Sequence, residues 1–408
     1  MNKKIKYILM ILILFYSVKV NAVQYDIVDL YLMYSDRGSY NSFPIQRITY
    51  DPNGRIYVVY QGESDGTPFV QVVYSDTDPN IWTEDDPNAI DSGLRIPSIA
   101  PYSEVTWKVS VSATNSAYSE SPMYVQKNGS WGTEEYVDDD SPFPAGNSIS
   151  QVMWDANKAW CCYRHASEGT YDNIECSARP DGGWVGGGGT QLATTYRNDS
   201  LSACMDKDSD SGNTLIWTSW LEYNTGGTGT WYINAASYLE GIGWSAASTI
   251  SSVSAASATF GPPVIRNLDG TIVAMYYRNG VGTNTTFYQG MYAYVDANDA
   301  WTSPSIMTDT NYDNKYFTPF LNADNEICGM YNSNVFGYEV TYTCLSGGSW
   351  TEPTIVTSHA GDLLAVNVIV DQNNRVHFIV TDPPDEYYGY FDMTPSVIPA
   401  PQIISNIL

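Results

Sequence analysis

Six tryptophans, Trp82, Trp131, Trp184, Trp244, Trp301 and Trp350, punctuate the chain at intervals of 49, 53, 60, 57 and 49 residues. A marker returning after about 50 residues matches four short strands with their turns, the size of one propeller blade. The text around each marker repeats as well. Pro263 to Met307 reads PVIRNLDG, TIVAMYYRNG, FYQGMYAYV and AWTSPSIM; Phe317 to Val356 repeats the scheme as FTPFLNAD, NEICGMYNS, YEVTYTCL and SGGSWTEPTIV. Each copy has an apolar strand, an Asp/Asn/Gly turn, a second strand, a third with alternating aromatics, and a Gly turn into Trp. Such a four-stranded sheet has an apolar face that it cannot bury alone, so the copies must stack around an axis.

A seventh copy begins at Leu364 (LAVNVIVDQNNRVHFIV, then YYGYFDM) and lacks its Trp strand. The spare segment Asp26 to Tyr34 is expected to complete it as the outer strand, which removes an exposed edge. The tail from Ser396 to Leu408 is the weaker candidate because Pro399 and Pro401 cannot donate to a ladder. The expected fold is therefore an all-β, seven-bladed β-propeller with four antiparallel strands per blade, six blades being the alternative. Composition agrees: Tyr, Trp, Thr, Ser and Gly abound, and no helical periodicity follows the first residues.

Residues 1–22 read as an export signal: Lys3, Lys4 and Lys6, an apolar run from Tyr7 to Tyr16, then Val20-Asn21-Ala22 as a cleavage site. The propeller is expected over 23–395 and a tail over 396–408. The protein is thus expected outside the cell or in the periplasm, with no membrane span. Without the four lysines of the leader the formal charge falls from −26 to −30. That sign disfavours nucleic acid and anionic membranes as partners. Six cysteines suit an oxidising compartment. Cys162 with Cys176, and Cys328 with Cys344, fall on adjacent strands of single blades and are expected to pair, leaving Cys161 with Cys204.

The turns SARPDGGW, KNGSW, SGGSW and LEGIGW, with the repeat around them, resemble the Asp-box turns of the sialidase superfamily, also called BNR propellers. The Gly and Trp are kept and most of the Ser-x-Asp start is lost. Arg95-Ile96-Pro97 is similar to the Arg-Ile-Pro element whose Arg grips the substrate carboxylate in that family. The family's acid Asp, due soon after this Arg, has no counterpart: no Asp occurs between Asp91 and Asp138.

Propellers bind ligands on the rim that carries the second-to-third-strand turns and the starts of the inner strands. On this rim the sequence places Arg95, Arg164, Arg197 and Arg278, four of ten arginines, with Trp220 and Tyr316 available to stack. Guanidiniums suit a carboxylate or sulfate, so the expected partner is a carbohydrate, an acidic glycan; the alternative for each Arg is a structural bridge to Asp or Glu. His165, Tyr163, Tyr277 and Glu222 are the candidate catalytic groups. An enzyme cleaving acidic polysaccharide, by sialidase-type hydrolysis or by a lyase step with a Tyr or His base, is the second reading. A non-catalytic adhesion or scaffold propeller is the third. No cofactor is required, and a monomer is expected. Asp206, Asp208 and Asp210 have the carboxylate rhythm of a calcium loop, the alternative being a solvated acidic hairpin.

Overall fold

Period-two alternation sends successive side chains of a strand to opposite faces. In each copy both faces are apolar, so both must be covered by neighbours. The computed structural model describes residues 31–34, 47–51, 54–64, 67–76, 81–85, 94–101, 109–115, 121–138, 150–154, 158–166, 172–179, 183–184, 189–193, 197–207, 212–224, 229–254, 264–266, 272–295, 300–322, 324, 326–334, 338–359, 363–371, 373–382 and 385–393. They form seven antiparallel sheets, and no helix occurs among them. Residues 1–22, expected to be an export signal, and residues 396–408, expected to be a tail, lie outside the described residues.

Blade one consists of Ile48–Tyr50, Ile56–Ser64, Thr67–Ser75 and Thr83–Asp85, in that order from inside to outside. Blades two to six follow the same course, with inner strands Leu94–Pro101, Ser150–Trp154, Arg197–Lys207, Val264–Arg266 and Asn314–Leu321. Blade seven is built from Leu364–Val370, Arg375–Asp382 and Asp385–Asp392, and its outer strand is Tyr31–Tyr34. Tyr31 lies opposite Tyr388. The chain's beginning thus completes its last sheet, as the unfinished seventh copy requires.

The marker tryptophans fill the seams between blades, each packing against the preceding blade. Trp82 of blade one meets Tyr388 of blade seven at 5.1 Å between ring centroids. Trp184 meets Tyr124 of blade two at 4.6 Å, Trp301 meets Trp217 of blade four at 5.7 Å, and Trp350 meets Tyr292 of blade five at 5.1 Å. Trp131 and Trp244 pack on the clusters shared by blades one and two and by blades three and four. Blade seven lacks a tryptophan, and its seam with blade six is filled by Phe378 and Phe391, with Tyr342 stacked on Phe391 at 5.5 Å.

The ring is closed by charge as well. Arg47, fully buried at the start of blade one, donates to Glu386 Oε1 at 2.7 Å and to Thr381 Oγ1 at 3.2 Å, both on blade seven. Its backbone N–H donates to Asn367 Oδ1 at 2.8 Å. Disulfides join Cys162 to Cys176 and Cys328 to Cys344, each pair directly opposite across adjacent strands. Cys161 and Cys204 are not bonded to each other, which corrects the pairing expected for them. Cys161 belongs to the cluster facing blade two, where its thiol lies 3.3 Å from both Ser112 and Ser150 and burial pushes its pKa up to about 11. Cys204 sits opposite Trp217, whose ring contacts blade five. Alternation therefore points the two thiols at different seams.

Removing one partner of a buried ion pair strands the other's charge, at a cost of about 3–5 kcal/mol. Arg47→Leu should therefore lower stability in urea unfolding by that order, and the double variant R47L/E386L should recover most of the loss.

Candidate functional site

The rim that carries the starts of the inner strands, here the upper rim, departs from regular sheet geometry in a repeated way. Register shifts interrupt the inner strands between Arg95 and Ser98, Asp199 and Leu201, Lys315 and Thr318, and Leu364 and Val366. Two of these bulges hold a non-glycine residue at positive φ: Ile96 at 49° and Tyr316 at 58°. A β-branched residue there is strained and persists only where its surroundings fix it. Ile96 is fixed from blade one, its N–H donating to Gln61 Oε1 at 2.9 Å. Bulges re-aim side chains, and they concentrate next to functional sites.

Blades three and four meet over a cluster that contains Cys162, Ile174, Leu201 and Trp220. Two residues beyond Cys162 on its strand stands Arg164, 5 % exposed; two beyond Trp220 stands Glu222, 9 % exposed. The same alternation that buries Cys162 and Trp220 directs Arg164 and Glu222 into this seam, nearer the upper rim. Trp220, expected on the open rim, is instead wholly within the cluster, because its position on the strand faces the adjoining blade. Glu222 Oε2 accepts from Asn234 Nδ2 at 3.0 Å, and Asn234 Oδ1 accepts from Thr249 Oγ1 at 2.9 Å. Burial raises the Glu222 carboxyl above its ordinary range. A carboxyl of that kind holds a proton closer to neutrality than a surface glutamate does.

The tyrosine candidates are donors. Tyr163 is fully buried, its hydroxyl 3.0 Å from Asp138 Oδ2 and 3.3 Å from Glu175 Oε2. Burial and the two carboxylates raise its pKa far above that of free tyrosine. Tyr277 is packed edge-on against Tyr288 and Tyr316 at 5.6 and 5.7 Å, and burial also raises its pKa well above the ordinary value. Neither phenol loses its proton readily, so neither is suited to act as a phenolate base. Tyr316 is partly exposed. Beside it Lys315 Nζ lies 4.4 Å from the Tyr288 ring centroid and 3.2 Å from Asp313.

The two rim arginines whose side chains are described occupy different seams. Arg164 enters the seam between blades three and four, whereas Arg278 lies beyond blade four, in the seam with blade five, beside Tyr276. Arg95 and Arg197 lie on the described strands Leu94–Pro101 and Arg197–Lys207, but their side chains fall outside the described residues, as does that of His165. The same holds for the side chain of Asp206 and for all of Asp208 and Asp210. Among the described residues no group of three or more His, Cys, Asp and Glu is arranged to hold a metal.

Sequence reading missed Asn234, the partner of Glu222, and Arg47, which took the structural-bridge role. It also missed the aromatic pair Tyr223 and Trp231, 4.5 Å apart near the rim of blade four. Counting in twos from the seam residues Cys162 and Trp220 is the signal that assigns Arg164 and Glu222 to one seam.

No protein-family model matches the chain, and no curated protein matches it. Solved structures share its fold. An ulvan lyase of polysaccharide lyase family PL25, solved bound to -[GlcA(1-4)Rha3S]-, superposes with a TM-score of 0.60 at 12% identity over 89% of this chain and 96% of that one. A puromycin hydrolase superposes with a TM-score of 0.56 at 13% identity, over 89% of this chain and 54% of that one. A Dyadobacter fermentans protein of unknown function gives 0.51 at 14% identity, over 89% and 97%.

The environment of Glu222 favours its neutral form, so its contribution to stability is greatest below the pKa of an unfolded glutamate. That contribution is lost as pH rises through the folded value. Glu222→Gln, neutral at every pH, should therefore gain thermal stability relative to the parent as pH is raised from the carboxylate range to neutrality. Parallel melting curves across that range check this; a constant difference would show that the carboxyl is unperturbed.

Proposed function

We propose that this chain is a secreted carbohydrate-recognising β-propeller whose upper rim takes an acidic glycan. The observation that carries this reading is the placement of Arg164 and Glu222 in one inter-blade seam. That seam holds a guanidinium, a carboxyl with a raised pKa and the Asn234 amide bonded to that carboxyl. Arginine supplies charge and paired donors to a carboxylate or sulfate, and the amide and hydroxyl groups suit a sugar's OH groups. The ulvan lyase and this chain share a scaffold; a common ligand class does not follow from shared fold, and rests here on the residues themselves. The finer sialidase-like reading is supported by Arg95-Ile96-Pro97 and the Gly-Trp turns alone.

Export is supported by the leader sequence and by two disulfides, which suit an oxidising compartment. Among the described residues no helix is long and apolar enough to cross a membrane.

Cleavage of the bound chain is the second reading, favoured by Glu222. A carboxyl whose pKa is raised by burial suits general-acid work near neutrality. Binding and turnover separate the two. Polyuronates and sulfated polysaccharides should bind the protein, and neutral glucans should not. Arg164→Gln should weaken that binding by about tenfold or more, as expected for loss of a charged hydrogen bond. If new reducing ends or unsaturated products form, Glu222→Gln should abolish them while binding persists. Absence of binding to every acidic polysaccharide would overturn the proposal.

A further inference from the structure

The seam between blades four and five holds a cavity of about 670 Å³. Its walls are Thr249 to Ser252 of blade four's outer strand, and Arg278, Val281, Gly282, Met291, Pro304 and Ile306 of blade five. Arg278 is the only charged residue among them. It makes no ion pair among the described residues, and its Nε is buried without a hydrogen-bond partner. The Asp309 carboxylate beside Gly282 is engaged elsewhere, accepting from the N–H and the hydroxyl of Thr283, each at 2.7 Å. A cation left with buried donor capacity in a chain this acidic is unusual, since a buried donor without an acceptor is costly.

The second feature of the place is aromatic. Trp231 packs against the same seam cluster as Tyr276, and Tyr223 lies against Trp231. A guanidinium, serine hydroxyls and a neighbouring aromatic pair, at a cavity of monosaccharide to disaccharide size, form a constellation suited to a charged sugar.

We infer that this cavity is an anionic-sugar subsite, in which Arg278 holds the carboxylate or sulfate of one residue of the glycan. It rests on the acidic-glycan reading and deepens it: blade four is flanked by two cationic seams, and the chain would cross from Arg164 to Arg278. Carboxylate and sulfate share the required chemistry, a planar or tetrahedral oxyanion that accepts two parallel N–H bonds.

The test uses the full mature chain and three probes: a uronic-acid disaccharide, a sulfated disaccharide and a neutral disaccharide of matched linkage. Binding is measured by calorimetry, and the arginine Nε–H resonance of Arg278, assigned with Arg278→Lys, is followed by NMR. The inference expects that resonance to shift with one or both acidic probes and not with the neutral one. Arg278→Gln should weaken acidic-probe binding by about tenfold and leave the thermal midpoint unchanged. A lowered midpoint with unaltered binding would make Arg278 structural and overturn the inference. Acidic binding lost in Arg164→Gln and retained in Arg278→Gln would also overturn it, with the broader reading intact. A resonance that shifts although Arg164→Gln changes nothing would uphold the cavity and reject the Arg164 seam. If no acidic probe moves the resonance or registers heat, both fail.

Discussion

A four-stranded sheet with two apolar faces is stable only when both are covered, and in this molecule each sheet is covered by the two beside it. The tryptophan in the turn before the outer strand acts as a wedge between its own blade and the previous one. Everything at the upper rim inherits its position from these seams. Arg164 stands above Cys162, Glu222 above Trp220, and Arg278 above Tyr276, each two residues closer to the mouth on the same face of its strand. Polar groups thus arise where an apolar seam reaches water, at the ends of strands whose interiors are fixed by packing. A site built in this way is held on rigid elements rather than on loops.

The architecture was legible because its signals are local and repeated. The tryptophan spacing marks the blades, the missing seventh tryptophan marks where the chain's start must return, and cysteines on adjacent strands lie opposite one another. The site was harder to read, for a definite reason. Assigning arginines to one rim does not say which seam each enters, because that depends on which face of the strand it occupies. Arg164 and Arg278 both end a second strand, yet blade four stands between the seams they enter. Cys161 and Cys204 failed to pair for the same cause. The bulges at Ile96 and Tyr316 leave no trace in composition, since a backbone at positive φ is expected of Gly or Asn. Arg47 was passed over because a fully buried ion pair between the first and last blades has no local signature.

The protonation states on the rim share a direction. Tyr163 and Tyr277 are held as neutral donors, and the Glu222 carboxyl is shifted toward its neutral form. Of these shifts only that of Glu222 bears on charge near neutrality, because the phenols are uncharged there in any case. The long-range field of so acidic a chain would repel the proposed anionic ligand, while short-range contacts at the rim would attract it. Ionic screening acts on the first much more than on the second. Under that proposal, selection among ligands comes from contact geometry rather than from electrostatic steering.

The clasp between Arg47 and Glu386 joins residues 339 positions apart, and Tyr31–Tyr34 needs Asp385–Asp392 as its neighbour. Synthesis runs from the amino end, so the first strand waits for a partner made more than 350 residues later. Blades can form singly as they emerge, but the circle cannot close until the strands of blade seven are available. Chains broken off early keep one sheet unfinished and one arginine without its acid. The latch thus makes the first and last blades interdependent, so that neither is whole without the other.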